Sequence, residues 1–420
     1  MSAAPSHRAC ARCGARALLL RPSSGESQCK ACFLASFEAE VCGAVEGGRL
    51  FARGERVAVG ASGGKDSAVL AALLSKLNAA RGWGLELVLL SIDEGIAGYR
   101  DAALDAVRRA AAAAALPLAV LSYASLYGWS MDAIVAEAGR RGNCTFCGVF
   151  RRQALDRGAR ALGCSALATG HNADDAAETV LMNLLRGDVT RLRRCASAVT
   201  GAAAPAPAPG ALPRRVKPFK HAYEKDIVLY AHHAGIPYFS TECVYAPDAY
   251  RGHARELIKE LEAVNPAAIL GLVHSAEAWL LEEGGGGGDD GDAPVTAAAA
   301  AAAAACACAG GAAERGGACA TAAAPAPRPQ ARCVRCDYMT TTAGGLCQAC
   351  NLLAGLNAGK PRLGLTSMTA APAPTAAAAA GVPDAHVAAS GVTRADVALL
   401  LTLPNQPEAP KTVAATTLAW

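Results

Sequence analysis

Aromatic residues are scarce: Phe, Tyr and Trp together make up 5% of the 420 residues, and methionine occurs 5 times. Although 52% of the chain is nominally hydrophobic, much of that is alanine, so long stretches bring little apolar area to bury. An excess of one charge is also lacking. Lys plus Arg number 40 against 36 Asp plus Glu, and the net charge of +4 permits a polyanionic partner without demanding one. The start, Met1-Ser2-Ala3-Ala4-Pro5-Ser6-His7-Arg8, has no apolar h-region, which argues against a secretory leader. No acid precedes Glu26, a bias shared with organellar transit peptides. But that stretch holds Cys10 and Cys13 and runs into Cys29 and Cys32, so cleavage would destroy a site and a cytoplasmic location is expected. The most apolar window, 295–313, is nearly all Ala, Gly and Cys, too weakly apolar for a membrane span.

What the chain does have is cysteine, 17 in all. A secreted disulfide scaffold would be short and would carry a leader, so metal thiolates in a reducing compartment are the better reading. Cys10-x2-Cys13-x15-Cys29-x2-Cys32 and Cys333-x2-Cys336-x10-Cys347-x2-Cys350 each supply four thiolates from paired turns, sufficient for closed tetrahedral Zn²⁺. Redox dithiols without metal are the alternative. A further pair, Cys144 and Cys147, has Cys243 well downstream. Spacing alone leaves a zinc half-site and a redox couple both open. Cys306, Cys308 and Cys319 have no paired spacing and read as incidental.

Composition divides the chain. A cysteine-bearing module occupies 1–45, a domain of alternating apolar runs and helical stretches 50–283, and a second module 333–364. An Ala-Pro repeat at 201–211 reads as an extended insertion. The segment 284–332 opens on five glycines and an acidic cluster and then turns alanine-rich, as a disordered tether would. The tail 365–420 has no assignable role. Val57–Ala61, Leu87–Ile92, Leu118–Leu121 and Ala166–Thr169 are short apolar runs. Ser67–Ala80, Tyr99–Ala115, Asp175–Arg186 and Arg251–Glu283 are helical. Buried strands separated by helices imply an α/β fold, a parallel sheet with helices on both faces.

Directly after the first strand comes Gly60-Ala61-Ser62-Gly63-Gly64-Lys65-Asp66-Ser67. A glycine-rich turn there exposes backbone N–H groups, and the following helix adds its positive dipole end, which makes an anion site. The alternative is a tight turn capped by Ser67. It is not a Walker A loop, because Asp66 follows Lys65 and Val59 stands where the first glycine belongs. S-G-G-x-D-S resembles the PP-loop of the N-type ATP pyrophosphatases (adenine nucleotide α-hydrolase-like). That resemblance implies ATP cleaved between α- and β-phosphates. Ser62, Gly63, Gly64 and Ser67 would cradle pyrophosphate, Lys65 would add positive charge, and Asp66 would hold Mg²⁺. Asp93, ending the second strand, is placed to contact nucleotide or metal. After the fourth strand, Gly170-His171-Asn172-Ala173-Asp174-Asp175, then Glu178-Thr179, matches a segment that lines the active site in this superfamily. His171 alone would read as a satisfied histidine, and Asp174 and Asp175 as helix-start acids. With the PP-loop, Gly170 and His171 join the ATP site, and Asp175 is the second metal-holding or nucleophile-orienting carboxylate.

Cys144, Cys147 and Cys243 fall where tRNA-thiolating PP-loop enzymes carry three reactive cysteines. Over 10–283 and 333–364 the chain resembles the cytoplasmic tRNA 2-thiolation protein 1 family, of the TtcA/TtuA type. Further matches are Lys217-Pro218-Phe219-Lys220, Glu224-Lys225-Asp226, Leu356-Asn357 and Pro361-Arg362-Leu363-Gly364. The resemblance implies ATP-dependent 2-thiolation of the wobble uridine: adenylylation of the uridine C2 oxygen, then sulfur transfer through the three cysteines. They would hold a [4Fe-4S] cluster with one iron lacking a protein ligand, or pass sulfur as a persulfide. Implied partners are tRNA, cytoplasmic tRNA 2-thiolation protein 2 and a thiocarboxylated ubiquitin-like sulfur carrier, with two Zn²⁺ sites helping to dock tRNA. Arg12, Arg16, Arg21 and Lys30 around the first cysteine block would then meet RNA phosphates. Arg151 departs from the pattern: it stands where some prokaryotic relatives have a catalytic lysine, and an arginine acts only as a charge. Rival readings are a PP-loop enzyme adenylylating another substrate and an RNA-binding scaffold.

Overall fold

The computed structural model describes residues 8–140, 142–201, 212–241, 243–245, 250–282, 331–340 and 345–359. The tail, nearly all of the tether with Cys306, Cys308 and Cys319, most of the Ala-Pro insertion and Pro361–Gly364 lie outside these residues.

The chain opens with a two-stranded hairpin, β1 (Leu19–Leu20) and β2 (Ser27–Gln28), and α1 (Lys30–Gly47). There follow β3 (Arg56–Gly60), α2 (Lys65–Arg81), β4 (Glu86–Asp93), α3 (Arg100–Ala114), β5 (Leu118–Ser122), α4 (Tyr123–Tyr127), α5 (Met131–Ala138), α6 (Asn143–Ala161) and β6 (Ala166–Ala168). Then come α7 (Ala173–Leu185), α8 (Val189–Ala196), β7 (Val199–Thr200), β8 (Arg214–Val216), α9 (Glu224–Ala234), α10 (Tyr250–Val264) and α11 (Ala268–Glu282). The second hairpin, β9 (Ala331–Arg332) and β10 (Met339–Thr340), precedes α12 (Gln348–Asn357).

The central sheet has the order β5-β4-β3-β6-β8-β7. All neighbours are parallel except the edge pair β7–β8. Because side chains alternate along a strand, each strand feeds two cores. Val57, Val59, Leu87, Leu89 and Val216 pack with α1, α2 and α9, whereas Ala58, Val88, Leu90 and Leu167 pack with α4, α5, α6 and α12. The strand order reverses between β3 and β6, and this switch point opens a crevice beyond their carboxyl ends.

The two cysteine modules grip opposite faces of the sheet. Phe33 and Phe37 of α1 are buried against Phe219 and Tyr230 in one core, while Cys333, Cys347, Cys350 and Leu352 join the other. Two expectations change. The helical stretch 251–283 is two helices, α10 and α11, broken at Asn265-Pro266, where proline removes a backbone donor and clashes with the preceding turn. The sheet also has two short strands the apolar pattern did not announce, β7 and the Arg-bearing β8.

Candidate active site

β3 ends in the glycine-rich turn at the mouth of the crevice. Gly63 has φ +86°, and a Cβ there would stand 2.6 Å from the carbonyl oxygen of Ala103, so only glycine fits. The N-cap of α2 is Gly64, which offers no side-chain acceptor to the first-turn N–H groups. The turn is knitted internally. Ser67 Oγ accepts from the Ser62 N–H at 3.2 Å and donates to the Gly64 carbonyl at 3.0 Å. Lys65 Nζ lies 2.7 Å from Glu224 of α9 and 3.4 Å from Asp66. Asp66 accepts from Asn172 Nδ2 at 3.1 Å, and burial raises its carboxyl above the ordinary range. Gly170 lets the two loops meet, because a Cβ there would sit 3.0 Å from the Asp66 carbonyl carbon.

The second loop is organised by α7. Asn172 and Asp175 form a reciprocal capping box. Asp175 also meets Arg251 at 3.1 Å, and Asp174 is buried against Lys259 at 2.5 Å. Glu178 pairs with Arg255 at 2.9 Å and with Arg251. The acids of α7 therefore face a basic row on α10, Arg251, Arg255 and Lys259, spaced one helical turn apart. That spacing was readable in the sequence, but its partner was not. His171 Nδ1 lies 2.9 Å from Thr169 Oγ1. Its ring reaches solvent, yet enclosure by the crevice walls brings it down to about 4, with Asp175 opposing and Lys217, Arg251 and Arg215 adding to the shift. Asp93 is buried, paired with Arg100 at 2.8 Å and accepting from the Gly95 N–H at 2.9 Å.

Cys144 and Cys147 lie in the first turns of α6, one exposed and the other partly buried. The segment leading to Cys243 is fastened to the glycine-rich turn, because the Phe239 N–H donates to the Gly63 carbonyl at 2.8 Å. Tyr99 spans the gap. Its ring meets Phe239 edge-on at 5.4 Å, and its hydroxyl feels Arg151, Glu94, Cys243 and Cys147, although burial is what chiefly raises it. Burial also raises the Cys147 thiol, against the pull of Arg151. Arg151 itself is held by Glu94 at 2.7 Å. Among the described residues, the sulfurs of 144, 147 and 243 do not form a set closed enough for one ion. In an iron–sulfur cube each thiolate takes a different iron, so its sulfurs stand wider than around a single zinc.

The two expected blocks are such closed sets: in Cys10, Cys13, Cys29, Cys32 and in Cys333, Cys336, Cys347, Cys350 the sulfurs all lie within 4.8 Å. Tetrahedral zinc with bonds near 2.3 Å spaces its sulfurs by about 3.8 Å. Cys13 and Cys29 are 3.7 Å apart, and Cys336 and Cys347 3.5 Å. Backbone N–H groups of Cys32 and Cys350 point at the sulfurs of Cys29 and Cys347. Within each block some thiols go down and others up. Cys10 falls to about 6 through the backbone at Cys29, while Cys32 rises to about 12 through the thiols of Cys13 and Cys29. A divalent cation would relieve that conflict.

Arg21 corrects the basic knuckle. It is buried, with Nε 2.9 Å from Asp226 of α9 and a two-pronged pair to Glu40 at 2.6 Å, so it is a tether to the core rather than a phosphate contact. A basic crowd does stand elsewhere. Lys217 is brought down to about 8 by burial, then by Lys220, with Arg152 and Arg215 adding to it. Burial and Arg215 likewise lower Arg152. A third close group, His221, His274 and Glu277, was not foreseen; there Glu277 already bridges His221 and the buried Lys220.

A glycine-rich turn at a switch point, beside a second, acidic loop, is the arrangement of a PP-loop protein, and residues 37–261 match the PP-loop domain family. The cytoplasmic tRNA 2-thiolation protein 1 of Drosophila sechellia is 50% identical over 85% of this chain and 90% of its own length. That of Drosophila melanogaster is 50% identical over 84% and 89%. A solved structure, the U34-tRNA thiolase NcsA from Methanococcus maripaludis with its [4Fe-4S] cluster, superposes with a TM-score of 0.57 at 29% identity, covering 65% of this chain and 87% of that one. The chain belongs to the cytoplasmic tRNA 2-thiolation protein 1 family.

Proposed function

We propose that this protein is the ATP-dependent sulfurtransferase that thiolates the wobble uridine of cytoplasmic tRNA at C2. Family membership and the thiolase fold support the reaction, and the relatives' name supports the compartment. The observation that carries the mechanism is the Phe239–Gly63 hydrogen bond, which fastens the Cys243 segment to the phosphate turn.

ATP lies with its phosphates on Ser62, Gly63, Gly64 and Ser67, and Lys65 offsets their charge. Asp66 and Asp175, close enough that Asp175 helps raise the Asp66 carboxyl, would hold Mg²⁺, and Asp93 would meet the nucleotide or the metal. The uridine O2 attacks the α-phosphorus and pyrophosphate leaves. A sulfur nucleophile then attacks C2, and the oxygen departs with AMP. His171, a neutral imidazole at pH 7 before ATP binds, joins the ATP site as a hydrogen-bonding group. Cys144, Cys147 and Cys243 handle the sulfur. A [4Fe-4S] cluster held by the three would supply an iron without a protein ligand, a Lewis acid for hydrosulfide. A persulfide on one of them is the alternative carrier, and it would need a disulfide between two of the three cysteines as oxidant: the thiocarboxylate attacks that disulfide, one cysteine leaves as thiol, and hydrolysis of the acyl disulfide leaves the persulfide on the other. Zn²⁺ occupies both four-cysteine blocks. The crowd of Lys217, Arg215 and Arg152, whose charges repel one another, suits an RNA phosphate that would relieve the repulsion. A thiocarboxylated ubiquitin-like protein supplies the sulfur, and cytoplasmic tRNA 2-thiolation protein 2 is the second subunit.

Radiolabelled ATP should yield AMP only when tRNA and a sulfur donor are both present, and no AMP under those conditions overturns the reading. Cys144→Ser should abolish thiolation. If thiolation persists undiminished, sulfur transfer does not run through Cys144.

A further inference from the structure

The second cysteine block does more than cap a core. Gln153 lies on α6, the helix whose first turns carry Cys144 and Cys147. Its side chain is buried, and Nε2 is 3.3 Å from Cys347 Sγ and 3.6 Å from Cys336 Sγ. An amide Nε2 carries two N–H donors, so one side chain can serve both sulfurs. One turn further along, Asp156 accepts from Tyr338 Oη at 2.6 Å and pairs with Arg215 at 2.7 Å. Trp129, just before α5, donates to Asn357 Oδ1 at the end of α12 at 2.8 Å. The module thus clasps α6 along one side, and Gln153 alone of these residues touches its sulfurs.

We propose that Gln153 is a positioning residue that couples metal occupancy of Cys333, Cys336, Cys347 and Cys350 to the placement of Cys144 and Cys147. This rests on reading the block as a metal site and the pair as sulfur-handling. When the block is metallated, its thiolates are anions in a buried setting and take up both Gln153 N–H groups, as outer-shell donors to metal ligands do. When it is empty, thiols are poor acceptors and the amide loses its partners inside the protein. The middle of α6 that the amide steadied is then released, within two turns of Cys147. From Gln153 to Cys147 is about 9 Å along the helix axis, less than two turns, so a shift at one reaches the other.

The test uses the full-length zinc-loaded chain. Zinc release to a chromogenic chelator is expected in two steps, and Gln153→Leu should weaken one of them by roughly 10- to 100-fold, the range for outer-shell changes. Amide exchange read by mass spectrometry should rise over 143–150 in Gln153→Leu while β3 and β4 keep their protection. Chelation should raise exchange over 143–150 in the natural chain but add nothing in Gln153→Leu. Equal increments in both would show that the coupling bypasses Gln153. Unaltered exchange over 143–150 in Gln153→Leu also overturns the proposal. Gln153→Glu keeps the size but sets a carboxylate against thiolates, so it should lose that zinc faster still, and retention would count against the proposal. A natural chain that binds no metal at these cysteines would instead overturn the metal-site reading.

Discussion

A single missing side chain decides the geometry of the glycine-rich turn after β3. At Gly63 both the left-handed backbone and the approach of the Ala103 carbonyl forbid a Cβ. Gly63→Ala should therefore cost about 1–3 kcal/mol of local strain. As about 1.4 kcal/mol in a transition state is tenfold in rate, AMP formation should fall by roughly tenfold or more. Unchanged AMP release, followed with radiolabelled ATP, would mean the turn does not hold phosphate. His171 gives a pH signature. Its folded value of about 4 lies below the ordinary 6.5, so the unfolded chain binds the proton more readily. Its contribution to stability is complete above pH 6.5 and is lost as the pH falls towards 4. The imidazole resonance should stay neutral down to pH 5, and a midpoint near 6.5 by NMR would contradict this. Lys217 and Arg215 show why such chemistry was only half legible. Their types could be read, but the burial that chiefly pulls Lys217 down, and the approach of Arg152 from α6, depend on distant parts of the chain meeting.

Elements carry the next layer. α6 lies close on the sheet because Gly158 has no side chain: a Cβ there would meet Leu121 Cδ1 at 2.6 Å and Leu90 Cδ2 at 2.9 Å. Gly158→Val should overpack this contact and cost about 1–3 kcal/mol in urea denaturation; a neutral effect would show slack between helix and sheet. Between α1 and α9, Arg21 neutralises a carboxylate, Asp226, that among the described residues is otherwise met only by Ser23 Oγ at 2.6 Å. Arg21→Met leaves that charge buried and should cost about 3–5 kcal/mol, measured the same way. At this scale the sequence was most readable for long or strongly apolar elements. β3, β4 and α2 fall where Val57–Ala61, Leu87–Ile92 and Ser67–Ala80 announced them. β8 was hidden because two of its three residues are arginines. Pro266 was visible, yet the helix-forming residues on both sides of it read as one helix. Arg21 looked like an RNA contact because its acidic partner in α9 is some two hundred positions away.

At the scale of the whole molecule, the two cysteine blocks flank one sheet, and each reaches an element of the crevice. Through Arg21 and Asp226 the first holds α9, whose Glu224 pairs with Lys65. Through Gln153 the second holds α6. Two zinc ions per chain are expected by elemental analysis, with four irons in addition after anaerobic purification if the cluster is assembled. Zinc removal should lower the Tm and loosen both faces, as seen by exchange at Phe37 and Phe150. About one zinc per chain or fewer in metal-replete protein would sink the two-site account.

The placement of the second block also has a consequence during synthesis. α6, with Phe146 and Phe150 on its inner side, leaves the ribosome about 190 residues before Cys350, the last of the thiols that cover it. At about 5–20 residues per second that is roughly 10–40 s during which a helix bearing two cysteines waits half-wrapped. The growing chain is then a natural client for a chaperone, and its thiols are most open to oxidants before translation ends.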